Sequence, residues 1–178
     1  MKGNPNKGLY YPANERLQVT AYSDPDWGNC KLSVRSLTGY CVFLGNSLVS
    51  WKTKKQKTIA KSSAEAEYRA MSATVSELEW ISHLLLDLYI PPPLPIVPYC
   101  DNKVAQHIVA NPVFHERTKH LNINCHYTRD KIVEDFLQTA HVSSRDQLAD
   151  IMTKLLSEYH HNYLCSRLGL LDSPPVSP

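Results

Sequence analysis

Residues 62 to 88, SSAEAEYRAMSATVSELEWISHLLLDL, shift the apolar pattern from the alternation of a strand to the roughly 3.6-residue period of a helix. Ala64, Met71, Leu78, Ile81, Leu85 and Leu88 recur at steps of three, four and seven and define one apolar stripe. Ser62 followed by Glu65 is the spacing of a capping box, in which the serine accepts a backbone N–H of the first turn. Glu65 falls on the opposite face with Arg69, Ser76 and Asp87, so helix initiation and solvation explain it. Glu67 falls inside the apolar stripe, where an unpaired carboxylate is costly unless it meets a cation or a metal. Glu67 is therefore the first candidate ligand.

Upstream of this helix the chain reads as strands. LQVTAYSD (17–24) alternates, with Leu17, Val19 and Ala21 on one face and Gln18, Thr20 and Tyr22 on the other. TGYCVFLG (38–45) and SLVSWK (47–52) are two further β-rich runs meeting at Gly45-Asn46, a hairpin turn signal. KTKKQK (52–57) reads as a basic loop. Downstream, PPPLPIVP (91–98) is a proline-dense connector running into a short fourth strand, IVPYCD. NKVAQHIVA suggests a helix capped by Asn102, residues 118–133 another, DFLQTAHV (135–142) a fifth strand, and SSRDQLADIMTKLL (143–156) a capped amphipathic helix. Strands, a long helix, then strand, helix and strand make a mixed α/β pattern without internal repeats.

The 178 residues suffice for one domain with a sizeable core. Hydrophobic content of 43% and charged content of 20% are globular, and a net charge of +2 is too mild to mark a nucleic-acid partner except through local basic patches. The five cysteines are odd in number, widely spaced and form no CxxC. With no signal peptide and no long apolar span, this favours an intracellular, reducing setting. His115, His120, Cys125 and His126 lack a Cys pair at zinc-ligand spacing, which argues against a zinc site.

Three more acids are placed by the pattern. Asp24 ends the first strand, in AYSDPDW, and Asp26 reads as a loop acid beyond it. Asp101 ends the fourth strand just before a helix start, where α/β folds place ligand sites. Asp150 lies in the last helix beside Leu148, Ile151, Met152 and Leu155, on its polar side. Each has an ordinary structural explanation when taken alone; their order along the chain is specific.

AYSDPDWGNC, LTGYCVFLG, SSAEAEYRAM, YCDN, RTKH and HVSSRDQLADIMTK resemble the ribonuclease H domain of copia-type LTR retrotransposon Pol polyproteins, over roughly residues 17–170. The resemblance implies an α/β, ribonuclease-H-like fold: a five-stranded mixed sheet, strands 1–3 antiparallel, 4 and 5 parallel to 1, with helices on both faces. It implies residues 1–16 as a remnant of the linker from reverse transcriptase, 17–156 as the ribonuclease H domain, 157–170 as a C-terminal helix and 171–178 as a disordered tail. The family's acidic quartet falls on Asp24, Glu67, Asp101 and Asp150, which would hold two Mg²⁺ ions, with Mn²⁺ as a substitute. The implied reaction is endonucleolytic hydrolysis of the RNA strand of RNA/DNA hybrids, one ion activating water and the other stabilising the leaving 3′ oxygen.

Substrate contacts implied in the same way are Arg35, Ser36 and Thr38 near the RNA 2′-hydroxyls, Lys54, Lys55 and Asn102, and a second basic patch of Arg117, Lys119 and His120. His141 is a candidate for assisting product release. The implied partners are an RNA/DNA hybrid and the reverse transcriptase portion of Pol. The implied location is a cytoplasmic virus-like particle or the nucleus. Pro98 inside an internal strand, Asn122 and Asn124 where acids are common, and the absent polymerase point to a decayed or partial element copy. The rival readings are a DDE integrase or transposase, disfavoured by Glu67 and Asp150, and a catalytically weak or inactive connection-like nucleic-acid-binding module.

Overall fold

The computed structural model describes residues 7–13, 16–28, 32–104, 106 and 122–171. Strands β2 (Val19–Asp26), β3 (Leu37–Leu44) and β4 (Ser47–Lys55) form an antiparallel meander. Strands β5 (Val97–Cys100) and β6 (Ala140–His141) join it in parallel with β2, completing a five-stranded sheet of order β4-β3-β2-β5-β6. This is the expected mixed sheet. The β3–β4 turn is Gly45-Asn46, and Gly45 takes a φ of 60°, a conformation that costs glycine little.

Helices cover both faces. α1 (Ser63–Asp87) lays Leu78, Ile81 and Leu85 on Val19, Ala21, Tyr40, Val42 and Ile96 of the sheet. α2 (Asn122–Val133) packs beside α1 through a cluster that includes Tyr68, Met71, Val75 and Leu137. On the opposite face, Leu148 and the α3 helix (Glu158–Arg167) bury Cys41, Phe43 and Leu48 with Leu164 and Leu168. α1 starts as expected, with the Ser62 hydroxyl accepting the Glu65 N–H at 3.1 Å. It stops where Tyr89 turns to a φ of 61° and the Ile90 N–H returns to the Leu85 carbonyl, just before Pro91.

Several expectations need correction. β2 continues through Asp26, so that acid belongs to the strand. The lysines of KTKKQK are mostly strand: Lys52, Lys54 and Lys55 lie on the exposed end of β4 at the sheet edge, and Gln56 is buried. Residues 143–156 form no α-helix. They make two 3₁₀ segments, Ser144–Asp146 and Leu148–Met152, separated by Gln147 in extended conformation. The break has a tertiary cause: the fully buried Gln147 side chain donates to the Ser23 carbonyl at 3.0 Å and accepts the Ala149 N–H, pinning the segment to β2. The fifth strand shrinks to two residues plus an isolated Ile96–Leu137 bridge. Of residues 118–133, the described helix covers Asn122 onward.

Pro98 does not disturb the pairing with β2, where Ala21 and Pro98 are partners without a register shift. It stands instead in the gap between the Ile96–Leu137 bridge and the Tyr99–Ala140 pair. Ile96 exchanges both its backbone bonds with the β6 side, so Pro98, two residues on, turns its missing N–H the same way. Residues Gly8–Leu9 (β1) pair with Leu170–Leu171 (β7), and Tyr11 donates to the Leu48 carbonyl, so the first and last described segments meet against α3 and β4. No described helix is long and apolar enough to cross a membrane.

Candidate active site

The parallel pairing of β2 with β5 builds the site. Tyr22 and Tyr99 are partners, so two residues further on Asp24 and Asp101 emerge level with one another at the strand ends. α1 brings Glu67 against them from the first turns of the helix. Carboxylate oxygens of Asp24, Glu67 and Asp101 all lie within 4.8 Å of one another. Asp24 and Glu67 are buried, at 2% and 7% exposure, and Asp101 is half-buried.

Such a cluster is electrostatically unfavourable without cations. Burial, followed by the neighbouring Asp24 and Asp101 charges, pushes the Glu67 carboxyl up to about 9. Burial likewise pushes Asp24 up to about 6, against the lowering pull of the Thr153 hydrogen bond and the Lys154 charge. One Glu67 oxygen, Oε2, is buried with no hydrogen-bond partner among the described residues. Buried polar atoms are almost always partnered, so this one marks a place for a ligand.

Asp150 is close but differently engaged. It is 5% exposed, not on a polar helix face as expected, because the 3₁₀ segment turns it inward. It lies outside the three-carboxylate group, and its Oδ1 is 2.7 Å from the Lys154 ammonium, which also sits 3.1 Å from Asp24 Oδ1. Burial raises the Asp150 carboxyl and the Lys154 bond offsets part of that. Thr153 donates to Asp24 Oδ2 at 2.6 Å, and Ser144 donates to Asp101 Oδ2 at 3.0 Å, so two further side chains orient the acids.

The sequence alone does not mark Thr153, Lys154, Ser144 or Gln147 as site residues. The Asp150–Lys154 pair has a readable signal, an acid four residues before a lysine, but that spacing usually describes a solvated helix face. Glu65 requires correction as well. It is buried rather than solvated, pairing with Arg69 and accepting the Lys61 N–H at 2.8 Å.

The remaining candidates divide. Ser36 and Thr38 are buried with internal partners: the Ser36 hydroxyl accepts the Gly28 N–H and the Thr38 hydroxyl accepts from Gln56. Arg35 is half-buried and donates to the Lys57 carbonyl. Lys54 and Lys55, with Lys52, Lys57, Lys61 and Arg69, line a groove between the β4 edge and α1. Asn102 is half-buried directly after Asp101. His141 is exposed on β6, opposite Cys100. Arg117, Lys119 and His120 lie outside the described residues, as do His115 and the tail beyond 171. Cys41, Cys100 and Cys165 are buried free thiols.

No family model matches the chain. Its sequence is 43% identical, over 98% of its length, to the retrovirus-related Pol polyprotein from transposon RE1 of Arabidopsis thaliana. It is 42% identical over the same share to the polyprotein from transposon RE2 of that plant. The chain spans 12% of the length of each. Among solved structures it superposes on LC11-RNase H1, isolated from compost by a metagenomic approach. The TM-score is 0.59 at 13% identity, covering 77% of this chain and 93% of that one. The complex of LC11-RNase H1 with an RNA/DNA hybrid gives a TM-score of 0.55 at 13% identity, covering 76% and 94%. This chain is a homologue of one segment of the retrovirus-related Pol polyproteins of copia-type transposons, and its fold is that of ribonuclease H.

Proposed function

We propose that this chain hydrolyses the RNA strand of RNA/DNA hybrids at a divalent-cation site formed by Asp24, Glu67, Asp101 and Asp150. The observation that carries the proposal is the close grouping of Asp24, Glu67 and Asp101 around an unpartnered, buried Glu67 oxygen. The donor set fits the implied ion: hard carboxylate oxygens suit Mg²⁺ or Mn²⁺, and a cation offsets the burial, and after it the repulsion between neighbouring acids, that raises the Glu67 and Asp24 carboxyls. When bound, such ions supply Lewis-acid activation of water and neutralise charge on the phosphate.

The chain's own groups hold the acids in place. Thr153 fixes the Asp24 carboxylate and Ser144 that of Asp101, so the ligand oxygens are oriented before substrate arrives. The lysines of the β4 edge offer a basic groove to the backbone of a nucleic acid, and Asn102 and His141 flank the strand ends. Support for the substrate class comes from LC11-RNase H1, a structural neighbour whose complex contains an RNA/DNA hybrid, and from homology to Pol polyproteins.

A second reading, a connection-like module that binds without cutting, draws on one observation. The Lys154 ammonium already neutralises Asp24 and Asp150. The two readings separate when the chain is given labelled RNA/DNA hybrid, duplex RNA and duplex DNA in Mg²⁺, with a chelator control. Cutting confined to the RNA of the hybrid and abolished by chelation supports the hydrolase. Binding of the hybrid without cutting at any Mg²⁺ concentration supports the module.

A further inference from the structure

We infer that Lys154 is a resident counter-cation which a divalent ion must displace before Asp150 can serve as a ligand, so the acidic cluster has two unequal ion sites. The inference rests on the cation site proposed above and concerns which part of it fills first.

The acids divide into two groups that share Asp24. Asp24, Glu67 and Asp101 cluster within 4.8 Å and leave Glu67 Oε2 without a partner. Asp24 and Asp150 are bridged by one ammonium, at 3.1 and 2.7 Å, and their carboxylates are almost wholly buried. An ammonium in that position does what an ion would do for folding: it neutralises two buried charges that otherwise repel. It also obstructs. A dication drawn to Asp150 meets like charge a few ångströms away, whereas the group around Glu67 has an open acceptor.

The lysine is built to move. Its backbone is fixed at the end of the 3₁₀ segment, where the Lys154 N–H donates to the Asp150 carbonyl at 2.8 Å. Its side chain is 35% exposed, so the ammonium has a route to water without any change in the segment. A long flexible stem with a compact charge suits an exchangeable counter-ion. The lysine's withdrawal would also free Asp24 Oδ1, while Thr153 keeps its hold on Oδ2.

The test is Mn²⁺ binding by calorimetry to the folded full chain and to Lys154→Met, which keeps the stem length and removes the charge. In the wild type one ion binds per chain before the second. In Lys154→Met the second ion tightens by at least about tenfold more than the first, because only the second competes with the ammonium. Equal tightening of both ions would reduce Lys154 to a distant charge and overturn the inference, as would two equivalent ions in the wild type. A measurement on the wild type alone guards against a variant that does not fold. Reductive methylation of Lys154, followed by mass spectrometry, accelerates at Mn²⁺ concentrations that fill the second site; an unchanged rate overturns displacement. If neither chain binds Mn²⁺ at all, the cation site itself falls, a result distinct from equivalent ions in the wild type.

Discussion

Gly39 of β3 stands in register with Asp24 of β2, and its lack of a side chain is what admits Thr153 to the Asp24 carboxylate. A Cβ at Gly39 would lie 2.6 Å from Thr153 Cγ2 and 2.8 Å from Met152 Cβ. The 3₁₀ segment carrying Asp150 can seat on β3 only because that volume is empty. Gly39→Ala should therefore push the segment outward, costing about 1–3 kcal/mol by overpacking. A lowered melting temperature together with reduced hybrid cleavage is the expected result. Wild-type values for both would show that the segment gives way without consequence for the acids.

The two neighbouring glutamates of α1 should separate function from stability. Glu65→Gln weakens the Arg69 pair and the cap on the Lys61 N–H, with an expected loss of about 1 kcal/mol and cleavage retained. Glu67→Gln replaces a carboxyl that the cation-free fold keeps protonated, so it should flatten the fall of cation-free stability with rising pH while abolishing cleavage. Thermal melts and cleavage rates on the same preparations check both halves. A Glu67→Gln protein that cuts hybrid at the wild-type rate would remove Glu67 from the site.

The raised carboxyls make a definite prediction for pH. Glu67 rises from an ordinary 4.5 to about 9 and Asp24 from 3.8 to about 6. The cation-free fold then holds these protons more tightly than the unfolded chain does. Their stabilisation is complete below the ordinary values and is lost as pH rises, by about 6 for Asp24 and by about 9 for Glu67. Without Mg²⁺, stability and with it the melting temperature should fall between pH 5 and 9, the unfolding free energy with a limiting slope of about 1.4 kcal/mol per pH unit for each proton. Millimolar Mg²⁺ competes with those protons, so its stabilising effect should be larger at pH 8 than at pH 5. An equal gain at both values would mean that the ion does not bind at these acids.

How much of this is legible in the sequence depends on where each signal resides. α1 and the β3–β4 hairpin are local statements, made by periodicity and by Gly45-Asn46, and the structure repeats them. Asp24, Glu67 and Asp101 follow from strand ends and helix phase, and they converge. The burial of Asp150 was not legible. It depends on the Gln147 side chain reaching Ser23, a contact across most of the chain that breaks an otherwise helical pattern. The burial of Glu65 depends likewise on Arg69 and the Lys61 backbone folding over it. β1 and β7 are too short to carry any period, and only their mutual pairing defines them.

Pro98 looks like damage in the sequence, and its place in the sheet gives it a milder meaning. Because its missing N–H faces the short edge strand β6 and the β2 register is undisturbed, Asp101 still reaches Asp24 and Glu67. Pro98→Val should restore one ladder hydrogen bond, worth about 1 kcal/mol, and leave cleavage unchanged. Denaturant melts and initial rates test this. A large gain in cleavage would instead mean that the proline displaces Asp101 and that this copy is impaired.

The most direct measurement is the rate at which the folded chain cuts the RNA strand of a labelled RNA/DNA hybrid in Mg²⁺, set against Asp101→Asn prepared identically. Asp101 is half-buried at a strand end, so the amide fits without disturbing the core. Cutting by the wild type is expected, with a loss of at least about a hundredfold in Asp101→Asn, since losing even an outer partner of a metal ligand costs about 10–100-fold. Equal cutting by the two proteins would contradict this expectation.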